Sequence, residues 1–149
     1  MRRRTALSGL LLAASLAAAH PASGETARTL YLLKCSGCHR ADGQGATDAG
    51  VPPFPGFIAG LARDPGGRTY MLHVPGVAGS GLNDTDLAAV LNYLLDRWSA
   101  APAADVRRFT PQEVATLRAI AVNDIVSYRR TLAARLRKSG AAIADYPWP

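Results

Sequence analysis

The sequence predicts an all-α fold, in which a small helical domain is followed by a C-terminal helical extension. Apolar residues recur at helical spacing in two segments, and each segment opens with a residue that commonly caps helices, Asn83 or Thr110. A third helix is predicted to begin near Thr26. No βαβ pattern and no internal repeat is found in the chain.

The first predicted helix runs from near Thr26 into a pair of cysteines, with Leu30, Tyr31 and Leu33 facing a buried surface. Residues 40–68 follow and are rich in glycine and proline, which break helices and strands. This segment is therefore predicted to be a loop, with at most a short helical turn around residues 57–62.

The next helix begins after Asn83, which is a favourable N-cap, and Asp84 and Asp86 suit the positive end of the helix dipole. Its apolar face carries five residues at helical spacing: Leu87, Val90, Leu91, Leu94 and Trp98. Residues 99–104 are small and are predicted to form a linker.

The extension begins at a capping box, Thr110-Pro111-Gln112-Glu113, with proline at the first helical position. One apolar stripe follows, made of Val114, Leu117, Ala121, Ile125, Tyr128, Leu132 and Leu136. The polar face carries mainly cations: Arg118, Arg129, Arg130, Arg135, Arg137 and Lys138. A break is expected at Asn123, which would cap a second helix, and Ser139-Gly140 ends the helical segment.

An apolar stripe of this length must be covered, and two alternatives stay open. The extension packs back on the first domain, or it docks on a partner protein. The tail 146–149 is interpreted as either disordered or a short aromatic plug.

Residues 1–24 resemble a secretory signal peptide. Arg2, Arg3 and Arg4 precede an apolar run from Leu7 to Ala19, and small residues at 22–24 offer a cleavage site. Cleavage after Ala19 is the alternative. The apolar run is shorter than a membrane span requires. We therefore predict a signal peptide (1–24), a first domain (25–99) and a linker with a basic helical extension (100–149), exported to the periplasm without a transmembrane segment.

The net charge does not indicate nucleic-acid binding. Removal of the predicted signal peptide takes away three arginines and no acids, and the formal charge falls from +6 to +3. The chain has only two cysteines, Cys35 and Cys38, and both lie in one motif. No further cysteine is left for a disulfide, so a bound group is expected to stabilise the small domain.

The motif is Cys35-Ser36-Gly37-Cys38-His39, the pattern for covalent attachment of a c-type haem. The thiols add to the vinyl groups of the porphyrin, and the histidine binds the iron as an axial ligand. Residues i and i+3 of a helical turn share a face, so both sulfurs reach one edge of the ring. The alternative is a redox dithiol, which does not require the histidine.

With these residues, segment 25–99 resembles the monohaem class I c-type cytochromes. The resemblance rests on the haem motif and the pieces around it: Leu30-Tyr31, Asp42-Gly43-Gln44-Gly45, Val51-Pro52-Pro53-Phe54-Pro55-Gly56, Leu82-Asn83-Asp84 and Leu91-Asn92-Tyr93-Leu94. It implies a cytochrome c-like haem domain with one haem c, iron included, per chain. It also implies that Pro52 or Pro53 lies where the hydrogen bond from His39 is accepted. Arg40 stands where the family usually has glycine, and Arg68 could pair with a haem propionate.

The sequence departs from the family at the sixth iron ligand. Where the family usually has Met-Pro, this chain has Val74-Pro75, and valine does not bind iron. After cleavage the chain holds one methionine, Met71, and one histidine besides His39, namely His73. In an extended loop both side chains would point the same way. His73 is the first candidate, Met71 the alternative, and an open site the third.

The resemblance implies single-electron transfer between periplasmic redox proteins, such as dehydrogenases, oxidases or other cytochromes, rather than enzymatic catalysis. A closed six-coordinate iron passes electrons but does not bind a substrate. The competing interpretations are a haem-based sensor with an exchangeable sixth position and a dedicated subunit of a dehydrogenase complex. A peroxidase would require an open sixth position and a distal acid–base group.

Overall fold

The computed structural model describes residues 22–99 and 105–145, and these residues are mostly helical. The helices are α1 (Ala22–Lys34), α2 (Ser36–His39), α3 (Ile58–Arg63), α4 (Pro65–His73), α5 (Pro75–Ala78), α6 (Asp84–Trp98), α7 (Pro111–Arg118) and α8 (Ile125–Lys138). Within the described ranges, extended pairing is limited to one isolated bridge, Ala46 with Val51, so the all-α prediction is confirmed. No helix in those ranges is both long and apolar enough to cross a membrane.

Most of the predicted signal peptide, the linker at 100–104 and the tail at 146–149 lie outside the described residues. The three-part division of the chain therefore stays a prediction.

Helices α1 and α6 pack against each other through a cluster of aromatic rings. The Tyr31 side chain is fully buried, and its ring centre lies 5.1 Å from that of Trp98 and 5.7 Å from that of Tyr93. The Tyr31 hydroxyl donates to the Arg40 carbonyl, which joins α1 to the chain just past α2. Leu33, in contrast, is 73% exposed, so the prediction that it faces a buried surface was wrong.

Helix α4 replaces part of the predicted loop. Asp64 caps it by accepting a hydrogen bond from the Gly67 amide at 2.9 Å, and Pro65 occupies the first turn. Gly67 does not mark a loop. A Cβ atom there would lie 2.1 Å from the Leu61 carbonyl oxygen, so glycine allows α4 to pack closely on α3.

The extension packs on the first domain, which is the first of the two predicted ways of covering its apolar stripe. Helix α7 lies against α4 and α6, and α8 lies against α4. The Asn92 side chain pairs with the backbone of Phe109, donating to its carbonyl and accepting from its amide, both at 2.9 Å. Val114 and Leu132 are buried at this interface, so much of the apolar stripe is covered by the same chain.

The break between α7 and α8 occurs where the sequence predicted it, but the capping residue differs. Asp124, not Asn123, accepts hydrogen bonds from the amides of Val126 and Ser127, both at 3.0 Å. An ion pair ties α8 to the start of α4, because Arg135 donates to both carboxylate oxygens of Asp64.

Arg68 anchors the extension instead of binding a haem propionate. Its guanidinium forms a two-pronged ion pair with Glu113 at 2.6 Å, donates to the carbonyls of Ala62 and Arg107, and lies 3.5 Å from the ring centre of Phe109. The residue is 3% exposed and does not line the cleft described below. The predicted propionate contact was therefore wrong, because helix α4 turns this side chain toward α7.

Replacing Glu113 with glutamine should lower the free energy of unfolding by about 3 kcal/mol, because it leaves the buried Arg68 guanidinium without its counter-charge. Denaturant titration of the purified protein measures this. Asp96→Asn is the matched control, because Asp96 and its partner Arg108 are both about half exposed. This variant should lose less than about 1 kcal/mol of the free energy of unfolding. Equal losses in the two variants would contradict the role given to Arg68 and Glu113.

The pH dependence gives a second check on this ion pair. Burial opposes ionisation of Glu113, but the hydrogen bonds and charges of Arg68 and Arg107 outweigh it and hold the pKa below the ordinary 4.5. The stabilisation by the ionised carboxylate is therefore complete above pH 4.5 and is lost as the pH falls through the lower folded-state pKa. The stability difference between wild type and Glu113→Gln should shrink on acidification below pH 4.5.

Candidate haem site

The cysteine–histidine motif consists of Cys35, which joins α1 to α2, and the four residues of α2 itself. The Cys35 amide donates to the Tyr31 carbonyl at 2.8 Å, and the amides of Cys38 and His39 donate to the Cys35 carbonyl at 3.2 Å and 3.0 Å. Helical hydrogen bonding thus places both sulfurs on one side of the chain. Cys35 is half-buried and Cys38 is exposed.

The environment of Cys35 does not match a redox dithiol. Burial, and to a lesser extent the neighbouring Cys38, raise the pKa of the Cys35 thiol above its ordinary value. Redox-active cysteines of the Cys-X-X-Cys type have a lowered pKa, because the thiolate is the reactive form. The alternative of a thioredoxin-like dithiol therefore loses support.

The His39 ring is held in the neutral form by its surroundings. Burial lowers its pKa, and the nearby Pro52 carbonyl only partly opposes this. The ring stacks on Phe54 with 4.1 Å between ring centres. Its Nδ1 atom is buried and has no hydrogen-bond partner among the described residues. Neutral imidazole is the form that binds iron, and a ligating imidazole commonly donates its other ring N–H to a backbone carbonyl such as that of Pro52.

The loop after the motif has a defined backbone that carries Pro52 and Pro53 to the site. Ala46 and Val51 exchange hydrogen bonds in both directions, each at 2.9 Å, and the Phe54 amide donates to the Gly43 carbonyl at 2.9 Å. Gly45 has φ +67°, and a Cβ there would lie 2.4 Å from the Val51 carbonyl oxygen. Glycine is therefore required where the two sides of the loop approach each other.

Arg40 adopts a backbone conformation that favours glycine. It ends α2 with φ 61° and ψ 167°, a region almost restricted to glycine. The resemblance noted above expects glycine at this place, so the turn is retained although the residue differs. The strain is tolerated because the Arg40 amide and carbonyl are bonded to Ser36 and Tyr31.

A mostly apolar cleft with a volume of about 260 Å³ opens beside the motif. Cys35, Cys38, His39, Pro52 and Pro53 all line it. Helices α3 to α6 supply a large part of the rest of its surface, including Ile58, Leu61, Tyr70, Met71, Leu87, Val90, Leu91 and Leu94. A flat, largely apolar ring is the kind of group that such a cleft accommodates.

The structure brings Met71 to this cleft and does not bring His73 there. Met71 is 5% exposed and lines the cleft. Both ring nitrogens of His73 lie 2.8 Å from backbone carbonyls, those of Thr69 and Ile120, and the residue is not part of the lining. The assumption that both residues point the same way was wrong, because positions i and i+2 of helix α4 lie on nearly opposite faces.

One wall of the cleft was not predicted from the sequence. Ile125, Val126 and Arg129 of α8 line the cleft, as do Ile143 and Ala144 from the segment that follows α8. Arg129 was predicted on the polar face, yet it is 3% exposed. The spacing of the sequence does indicate this burial. Arg129 follows Ile125 by four residues and precedes Leu132 by three, so it lies on the apolar stripe of the helix.

Two thiols and a neutral imidazole on the wall of an apolar cleft are the groups needed to hold a porphyrin covalently and to bind its iron. The buried Nδ1 beside Pro52 agrees with this chemistry. The fold and the site thus define the class of small all-α proteins with a c-type haem.

A family model described as Cytochrome c matches residues 24–98, half of the chain, and the protein belongs to the cytochrome c family. The resemblance expected for residues 25–99 is confirmed. Membership implies covalently bound haem c with its iron and electron transfer as the general function. No curated protein matches the chain. Helices α7 and α8 lie beyond the matched residues.

Replacing Arg40 with glycine should raise the free energy of unfolding by about 1 kcal/mol, because glycine adopts the positive φ without strain. Denaturant titration of the haem-loaded protein measures the change. Arg40→Ala is the control for loss of the exposed side chain, and its effect should stay within about 0.5 kcal/mol, since alanine keeps the strain. A glycine variant less stable than the alanine variant would contradict this interpretation of Arg40.

Proposed function

We propose that this protein is an exported electron carrier with one haem c, attached through Cys35 and Cys38 and bound at the iron by His39. The observation that carries the proposal is the position of these three residues together on the wall of an apolar cleft. Family membership supports haem binding and electron transfer in general terms. The segment at residues 1–24 supports export to the periplasm.

We propose Met71 as the sixth iron ligand. Its thioether is the usual ligand type of the family, and its buried position on the cleft favours it over His73, whose nitrogens face carbonyls. Methionine would raise the reduction potential relative to a site with two histidines. An iron with both axial positions filled has no room for a substrate, so the proposed role is transfer of single electrons and not catalysis.

The partners are proposed to be periplasmic redox proteins that approach the exposed edge of the cleft. Cys38 is exposed there, and Lys34 is exposed beside it. A thioether at Cys38 would place one edge of the porphyrin at the surface, where an electron leaves over the shortest path. Docking of the extension on a dehydrogenase loses its main support, because the apolar stripe is largely buried against the first domain.

Covalent attachment is tested on protein exported together with the haem-attachment machinery. Wild type should stay coloured after denaturation and acidic organic extraction, with a mass that exceeds the polypeptide by one haem. The double variant Cys35→Ala, Cys38→Ala should lose its colour under the same treatment. Colourless wild type with the mass of the bare polypeptide would overturn the proposed function.

The sixth ligand is tested by adding carbon monoxide to the ferrous protein and recording visible spectra. Wild type and His73→Ala should show little change, because the sixth position is filled. Met71→Ala should shift fully and rapidly, because its sixth position is open. A complete shift in wild type would instead favour the sensor interpretation, and a shift confined to His73→Ala would restore His73 as the ligand.

A further inference from the structure

The extension contributes directly to the haem cleft. Ile125, Val126 and Arg129 of α8 line it, as do Ile143 and Ala144 from the segment that follows. All of these residues lie beyond the part of the chain that the cytochrome c family model matches. The close approach is built into the sequence, since a Cβ at Gly60 would lie 2.5 Å from the Ala142 carbonyl oxygen.

Arg129 is the charged residue of this wall. It is 3% exposed, its Nη2 atom donates to the Ala144 carbonyl at 2.7 Å, and its Cζ atom lies 5.3 Å from the ring centre of Tyr70, which also lines the cleft. The neighbouring Arg130 is exposed and does not line the cleft.

The charges around the cleft fit the charges of a haem. Among the described residues that line it, the cationic side chains are Lys34 and Arg129, and none is a carboxylate. The propionates are the carboxylate groups of a haem. A guanidinium presents parallel N–H donors that match a carboxylate, and the resulting hydrogen bonds are stronger than neutral ones.

We propose that Arg129 binds a haem propionate and that the extension is therefore part of the haem site. This inference rests on the haem of the proposed function. Arg129 takes the role that the sequence had suggested for Arg68, which is committed to Glu113. The guanidinium neutralises the carboxylate inside the cleft and keeps it ionised in both the ferric and the ferrous protein.

The test compares haem-loaded Arg129→Met with Arg130→Met, an exposed arginine one position along the same helix. Midpoint potentials are measured by spectroelectrochemistry over a range of pH around neutrality. Wild type and Arg130→Met should show potentials that change little with pH. In Arg129→Met the propionate loses its counter-charge, so its pKa rises. Reduction of ferric iron by one electron is then accompanied by uptake of a proton on the propionate oxygen.

The potential of Arg129→Met should therefore fall as the pH rises, by at most about 59 mV per pH unit, which is a tenfold change for a one-electron couple. A potential and a pH dependence equal to those of wild type would overturn the proposal and assign Arg129 to packing on Tyr70 and Ala144. Colourless wild type would instead overturn the proposed function itself, so the two failures are distinguishable.

A second variant keeps the test decisive where Arg129→Met does not fold. Arg129→Lys keeps the charge but loses the forked donors. Resonance Raman spectra of its haem should show a shifted propionate mode, with a potential that stays nearly independent of pH. A propionate mode identical to that of wild type would also overturn the proposal.

Discussion

Helix α4 decides which side chains reach the cleft and which fasten the extension. Its helical period sends Tyr70 and Met71 toward the cleft, while Arg68 points to Glu113 on α7 and His73 points to the Ile120 carbonyl. The cap at Asp64 holds this rotation, and the same carboxylate also pairs with Arg135 of α8. One short helix therefore sets both the candidate distal side of the haem site and the attachment of the extension.

Polar contacts with strict geometry fix how the extension packs on the first domain. A buried ion pair is weak evidence for stability, because desolvation of both charges opposes their attraction. Arg68 and Glu113 nevertheless fix the position of α7 along α4, since a guanidinium fork accepts few other geometries. The amide of Asn92 adds a second such constraint by matching the backbone of Phe109. We interpret these polar contacts as selecting the arrangement that the apolar contacts stabilise.

The parts of the structure that depend only on residues close together in the sequence could be predicted. The haem motif, the cap at Asn83 and the capping box at Thr110 are local patterns, and the structure has helices at all three. Helix α4 was missed because Gly66-Gly67 were interpreted as a loop signal, although Asp64-Pro65 is a good helix start. Glycine is needed at position 67 because the backbone there lies close to Leu61, and no local sequence pattern reveals this contact. The burial of Arg68 and Arg129 likewise depends on distant partners, and charged residues are normally expected at the surface.

The cleft is built from both ends of the described chain. Cys35 and Cys38 come from its beginning, whereas Ile143 and Ala144 come from its end. Joining segments so far apart in sequence is entropically costly until the contacts form, so this wall is expected to assemble late. Until then the thiols would lie beside a groove that is open on this side. Docking of the C-terminal segment would close this side, so the last part of the described chain completes the enclosure of the group that its first part holds.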